Sequence, residues 1–519
     1  MAQKREVWGT KIGLVLAMAG NAIGLGNFLR FPVQAAQNGG GAFMIPYIIS
    51  FILLGIPVMW IEWTIGRHGG KYNHGSLPGM FDVMWKNKLA KYFGMLGLFT
   101  SSIILIYYTY LESWSLGFSF LTLFKDYYGL QDLSHMSHYL QSYQGMNNQY
   151  FGSIWYAYGF LLVTFFLNFY FLRKGISKGI EKLALFGVPL LLLFGIILVI
   201  RVITLGTPDP INHPEQTVMN GFAYLWNPDF SKLGSARVWL AAAGQIFFTL
   251  SIGMGTLSAY ASYLKEKDDI ALGGLATGSL NEFTEVILGG SIAIPIAVAF
   301  FGVGTTQEIA NGGAFNLGFV SMPIIFQQLP IGNFIGFLWF FLLFIAGITS
   351  SVAMALPVIS FLQEQFDLTR EKATTVVGII AFIAINFVVF FFKYGFLDEL
   401  DYWSGTFALV IVALLEVIIF AWIFGIKKGW QELHNGAKIN IPKSYYYIIK
   451  YITPMFLIIL LVVWTIQDAF PTLLMEGKEA ENIPYLWGAR IFMVLIAIAL
   501  TIMIRKAWKR NYLRKNEVK

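Results

Sequence analysis

Asn21-Ala22-Ile23-Gly24-Leu25-Gly26-Asn27 interrupts an apolar stretch long enough to cross a bilayer. Glycine inside a helix costs about 1 kcal/mol relative to alanine, and a break frees backbone N–H and C=O groups. In hydrocarbon such groups persist only where they are buried in protein or line a cavity. The stretch is therefore a packing device or a site. Close helix packing accounts for Gly20 and Gly24, which form a Gly-x-x-x-Gly pattern. It does not account for two carboxamides, Asn21 and Asn27, at the same depth. A second interruption, Thr249-Leu250-Ser251-Ile252-Gly253-Met254-Gly255, falls inside a later apolar stretch. Two interrupted spans in one chain point to a carrier with a central binding site.

Composition agrees with a membrane protein. The 519 residues are 56% hydrophobic and only 13% charged, where soluble proteins are about 25% charged. There is no cysteine, which excludes disulfides, thiol catalysis and cysteine-based metal sites. Apolar runs of roughly 20 residues mark bilayer-crossing helices. They predict twelve spans, near 11–37, 42–67, 89–124, 153–172, 180–201, 237–263, 271–303, 332–362, 373–392, 396–425, 446–468 and 486–505. The third is longer than the bilayer needs and is expected to tilt or project. No cleavable leader is expected, because the first apolar run leads directly into the glycine stretch.

The net charge of +7 invites a nucleic-acid reading, but the placement of the basic residues opposes it. Most lie in one set of alternate loops and at the two termini, among them Lys4, Arg5, Arg67, Lys71, Arg173, Lys174, Lys265, Arg370, Lys427 and the tail from Arg505. By the positive-inside rule both termini are expected in the cytoplasm of a multi-pass protein of the cell's inner (plasma) membrane. The basic surplus is then topology and lipid contact, with no nucleic-acid partner. Three external loops are substantial, about 125–152, 202–236 and 304–331. The last contains Asn311-Gly312-Gly313-Ala314-Phe315-Asn316-Leu317-Gly318-Phe319. Two readings of it stand side by side: an ordinary surface loop, or a segment dipping toward the protein centre.

An unwound helix offers two useful ends. The N-terminal end of a half-helix attracts an anion such as a carboxylate, and freed carbonyls attract cations. A zwitterionic α-amino acid suits both. Further polar residues lie at membrane depth: Asn281, Glu282 and Glu285 after the second interruption, and Ala346-Gly347-Ile348-Thr349-Ser350-Ser351 in the eighth span. Ionisable residues there are functional candidates. Membrane hydroxyls more often bond their own helix backbone, and for Glu62, Glu112 and Glu416 pairing inside the bundle is the expected role. The interruptions lie in spans one and six, as an inverted five-plus-five repeat requires. The halves would be 11–201 and 237–425, followed by spans eleven and twelve in 446–505, between cytoplasmic ends at 1–10 and 506–519. No residue-level repeat accompanies this placement.

The run Gly20 to Pro32, then Asn38-Gly39-Gly40-Gly41-Ala42-Phe43-Met44-Ile45-Pro46-Tyr47, Gly55-Ile56-Pro57, Glu62-Trp63 and Gly66-Arg67 resembles the neurotransmitter:sodium symporter family, the bacterial leucine transporter most of all. Gln245 to Gly255 and Ala346 to Ser351 match its sixth and eighth spans. The resemblance runs nearly end to end. It implies sodium-coupled, chloride-independent uptake of a small apolar or aromatic L-amino acid by alternating access, with Na⁺ at two sites. The first sodium would be held by the Ala22 carbonyl, Asn27, Thr249, Asn281 and the substrate carboxylate. The second would be held by carbonyls of Gly20, Ile23 and Ala346 and the hydroxyls of Thr349 and Ser350. The substrate carboxylate would meet Tyr108 and the amides of Leu25 and Gly26, and its ammonium the carbonyls of Ala22, Phe248, Thr249 and Ser251. Asn21, Ile104, Met254, Ser350 and Met354 would complete the substrate pocket.

The same resemblance assigns Arg30 and Asp401 to an external gate, and Arg5, Trp8 and Glu364 to an internal one. Glu285 would replace a chloride ion. Gly24 stands where monoamine carriers have an aspartate, which favours a substrate bringing its own carboxylate. Methionines adapt to irregular shapes, and one methylene discriminates only about 10- to 200-fold, so the pocket does not rank Leu, Met and aromatic substrates. A homodimer is compatible with these residues and not required by them. Three rivals are weighed. A channel needs a pore open at both ends. A membrane enzyme needs a catalytic motif, and the six histidines are scattered, with His135 and His138 expected in solvent. A sodium-dependent amino-acid sensor would bind without flux.

Overall fold

The second break shows how the sequence departs from helix. Ser251, Gly253 and Gly255 all adopt positive φ (54°, 77° and 68°), and a Cβ on Gly253 would collide with the Leu409 carbonyl. Position 253 thus needs glycine for both conformation and space. The computed structural model describes residues 6–313 and 315–517, and regular structure among them is entirely helical.

Ten helices among the described residues are long and apolar enough to cross a membrane. Lys11–Ala22 and Gly26–Gln37 make an eleventh span, bent by 47° at its break. Ala236–Thr249 and Thr256–Ala261, each too short alone, make the twelfth across the second break. The breaks therefore fall in spans one and six. The groups they free find partners, as buried backbone must. Gly24 N–H donates to Asn27 Oδ1 (2.8 Å), Leu25 N–H to the Tyr108 hydroxyl (2.8 Å), and Gly253 N–H to Glu62 Oε1 (2.7 Å).

Two helices form the centre. Ala90–Leu123 and Gly332–Phe366 pack against each other, with 83% and 94% of their most apolar windows buried. At 1.5 Å per residue the first is about 50 Å long, so it does project beyond the hydrocarbon. Ile176–Ile203 has the highest mean hydropathy, 3.0, yet only 33% of its window is buried. Its Phe186, Leu193 and Ile200 face outward, toward lipid.

The three long loops carry helices of their own. Leu133–Tyr143 and Val218–Trp226 occupy the first two. In the third, Leu317–Gln328 is apolar and buries Leu317, Phe319 and Phe326. Phe319 meets Trp114 and Phe118 edge-on at 6.1 and 5.1 Å. Of the two readings of this loop, the dipping one describes the structure. His135 is exposed and pairs with Asp132 at the start of an external helix.

Candidate functional site

The two breaks face one another across a small, tightly closed cavity. Asn21, Ala22, Gly24, Gly26 and Asn27 line it from the first break, and Phe248, Thr249, Ser251 and Met254 from the second. Tyr108 closes it from the third span, Ser350 and Met354 from the eighth. Ile104 does not reach the lining: it is fully buried, one turn from Tyr108 on the same helix. Leu25 contributes its backbone through the Tyr108 contact, while its side chain faces a second, outer cavity.

Polar atoms in the inner cavity sort into three groups. In the first, Asn27 Nδ2 donates to Asn281 Oδ1 (2.9 Å) and Asn281 Nδ2 to Thr249 Oγ1 (3.1 Å), beside Ala22. In the second, Ser350 Oγ lies 3.2 Å from the carbonyls of Gly20 and Ala346 and 3.4 Å from that of Ile23. Thr349 Oγ1 reaches the Ala346 carbonyl at 3.1 Å. Each group gathers hard oxygen donors without a formal charge, a set suited to a hard monovalent cation and to unwound-helix coordination. In the third, the Glu285 carboxylate accepts from Tyr47 (2.8 Å), Gln245 (3.0 Å) and Thr249. Three donors face it, the Glu282 carboxylate shares the Tyr47 hydroxyl (2.8 Å), and Thr249 ties Glu285 to the first group. The Asn21 Oδ1 atom is buried without a partner, although Asn21 Nδ2 bonds Thr256 (3.1 Å). An ammonium group in the cavity would satisfy it.

Phe248 lines both cavities, so its ring separates them. The outer cavity has about 750 Å³ of empty space and contains Arg30 and Asp401. These two are not paired: Arg30 sits 4.4 Å above the Phe248 ring and bonds Thr406 (3.2 Å), and Asp401 accepts from Tyr107 (2.6 Å). Arg30 keeps a buried Nη1 without a partner. At the other end of the first span Trp8 is 9% exposed and donates to the Tyr260 carbonyl (3.2 Å). Glu364 lies near Gly75, and Arg5 lies outside the described residues. Glu112 accepts from Asn168 (3.0 Å), and Glu416 lies against Glu62, the pairing expected of intramembrane carboxyls.

A family model of the sodium:neurotransmitter symporters matches residues 5–130 and 125–513. The chain belongs to this family. A sodium-dependent transporter of Methanocaldococcus jannaschii is 30% identical over 510 residues, covering 97% of this chain and 98% of that one. The rat sodium-dependent neutral amino acid transporter B(0)AT2 is 23% identical, covering 96% and 78%. A crystal structure of MhsT in complex with L-phenylalanine superimposes with a TM-score of 0.75 at 25% identity, covering 88% of this chain and 99% of MhsT. The protein is thus a sodium-dependent, multi-pass membrane transporter and not an enzyme.

Some features of this symporter's site had no signal in the sequence. Tyr47 and Gln245 as donors to Glu285, Thr256 as the anchor of Asn21 and Glu62 as the clamp on Gly253 join residues tens to hundreds of positions apart. No local pattern encodes such contacts.

Proposed function

We propose that this symporter takes up a small apolar or aromatic L-amino acid with Na⁺ by alternating access, without chloride. One observation carries the reading. Gly26 and Tyr108, which holds the Leu25 amide, line the same cavity as Ala22, Asn27 and Thr249, and Asn281 bonds Asn27 and Thr249 just behind it. A substrate carboxylate there touches the amides on one side and the first sodium on the other. Sodium and substrate then stabilise one state through a shared contact, and each strengthens the other's binding equally.

The remaining assignments extend this reading. Asn21 and the carbonyls of the second break take the ammonium, and Met254 and Met354 the apolar side chain. The second sodium sits among Gly20, Ile23, Ala346, Thr349 and Ser350. Glu285 supplies the fixed negative charge that a chloride ion would otherwise bring. Closure of Arg30 onto Asp401 seals the outside, with both termini in the cytoplasm and spans one to five and six to ten related as inverted repeats. The driving force is the sodium gradient with the membrane potential, about 2.3 kcal/mol per charge per 100 mV.

The test is uptake into proteoliposomes. An inward Na⁺ gradient is expected to drive saturable accumulation of an apolar L-amino acid with chloride absent, and imposing an inside-negative potential to raise the rate. Saturable sodium-dependent binding with no accumulation identifies a sensor instead. Current without saturable uptake identifies a channel.

A further inference from the structure

We infer that Glu181 is a positioning residue that latches the inner half of the first span against the fifth, and that its release accompanies opening to the cytoplasm. The inference rests on the reading above for what passes through. Glu181 is 2% exposed. Its Oε2 accepts from Gly9 N–H (2.7 Å) and its Oε1 from both the N–H and the hydroxyl of Thr10 (2.8 Å each). Thr10 in turn caps Lys11–Ala22 by accepting from Gly13 N–H (2.9 Å).

A second observation points the same way. A Cβ on Gly13 would fall inside the Glu181 side chain, and one on Gly9 would lie 3.1 Å from Glu181 Oε2. Both glycines leave room for this carboxylate. Glu181 makes no ion pair among the described residues; the N-terminus of Lys11–Ala22 supplies the positive potential that a buried anion needs. Nearby, Glu6 accepts from Ile176 N–H (2.6 Å) and stands 3.7 Å from Arg370.

The placement matters because the second oxygen group takes the Gly20 and Ile23 carbonyls from the end of this same half-helix. The segment from Glu6 to Ala22 lies between those oxygens and the cytoplasmic end of the chain. A cation leaving inward needs that segment displaced, and displacement breaks three hydrogen bonds to one carboxylate. The latch therefore biases the equilibrium toward the inwardly closed state, in which the ion is held.

The chain has no cysteine, so Ala17→Cys introduces a single reporter. Ala17 is 2% exposed on the inner half of the first span. In membranes with Na⁺, Glu181→Gln is expected to raise the reporter's labelling rate by a membrane-permeant thiol reagent roughly tenfold, as expected for losing a charged acceptor. Half-saturating Na⁺ for substrate binding is expected to rise by a similar factor. Thr10→Val removes one of the three contacts, and a smaller increase of a few-fold is expected. A purely structural role would lower the amount of folded protein and leave the labelling rate and sodium half-saturation of the remainder unchanged. That result overturns the latch. If Glu181→Gln yields no folded protein, Thr10→Val decides by the same two readouts. Labelling reports the latch even in a carrier that transports nothing, so its outcome and that of the uptake test are separable.

Discussion

Gly24→Asp abolishes amino-acid binding, with an expected loss of at least about 100-fold, near 3 kcal/mol at 1.4 kcal/mol per tenfold. A Cβ at position 24 would lie 2.6 Å from the Tyr108 hydroxyl and 3.0 Å from Ser350 Oγ. An aspartate there directs its carboxylate into the space proposed for the substrate's own. Two carboxylates would then compete for one sodium and one set of amides. Gly24→Ala separates bulk from charge. It displaces Tyr108 without adding an anion, and roughly tenfold weaker binding is expected from the disturbed hydrogen bond. Gly24→Asp should also gain affinity for an amine lacking a carboxylate, because it now carries that group. Calorimetric titration with an L-amino acid and with its decarboxylated amine reads all three effects. Binding of the amino acid within threefold of the parent in both variants would remove the assignment.

Glu285→Ser is expected to turn a chloride-independent carrier into a chloride-dependent one. The carboxylate sits in a ring of donors, Tyr47, Gln245 and Thr249. Serine removes the Glu285 charge and leaves these donors in place for a halide, with Glu282 still on the Tyr47 hydroxyl. Thr249 also belongs to the first cation group, so loss of the anion weakens sodium and, through it, substrate. In gluconate medium uptake by the variant should fall by at least tenfold, and chloride should restore it in a saturable way. Chloride-insensitive uptake at parental rates would show that Glu285 does not stand in for an anion.

The sequence made the fold legible where elementary constraints act locally. Twelve apolar runs mark twelve spans because bilayer thickness fixes their length. The two glycine-rich interruptions mark the broken helices because lipid tolerates free backbone only at a cavity. Residue roles inside the cavity came from resemblance, and the structure brings together Asn27, Thr249 and Asn281, and Gly20, Ile23, Ala346, Thr349 and Ser350. Ile104 shares the helix face of Tyr108 one turn away but is fully buried and does not line the inner cavity. Arg30 and Asp401 line one cavity but bond elsewhere, because a half-buried pair of opposite charges can be bridged or separated by small movements. Glu181 was not singled out at all. A single acid near a basic cytoplasmic loop reads as solvated, and its partners lie 171 and 172 residues away in the chain.

The most direct test of sodium–substrate coupling is thermal unfolding of the purified protein with the twenty amino acids in NaCl and in KCl. Ligand that binds only the folded state raises the midpoint by an amount that grows with the logarithm of its concentration over its Kd. The account predicts stabilisation by apolar and aromatic L-amino acids in NaCl, none in KCl, and an equal factor by which bound amino acid increases sodium affinity. Equal stabilisation in the two salts would contradict the shared contact on which the mechanism stands.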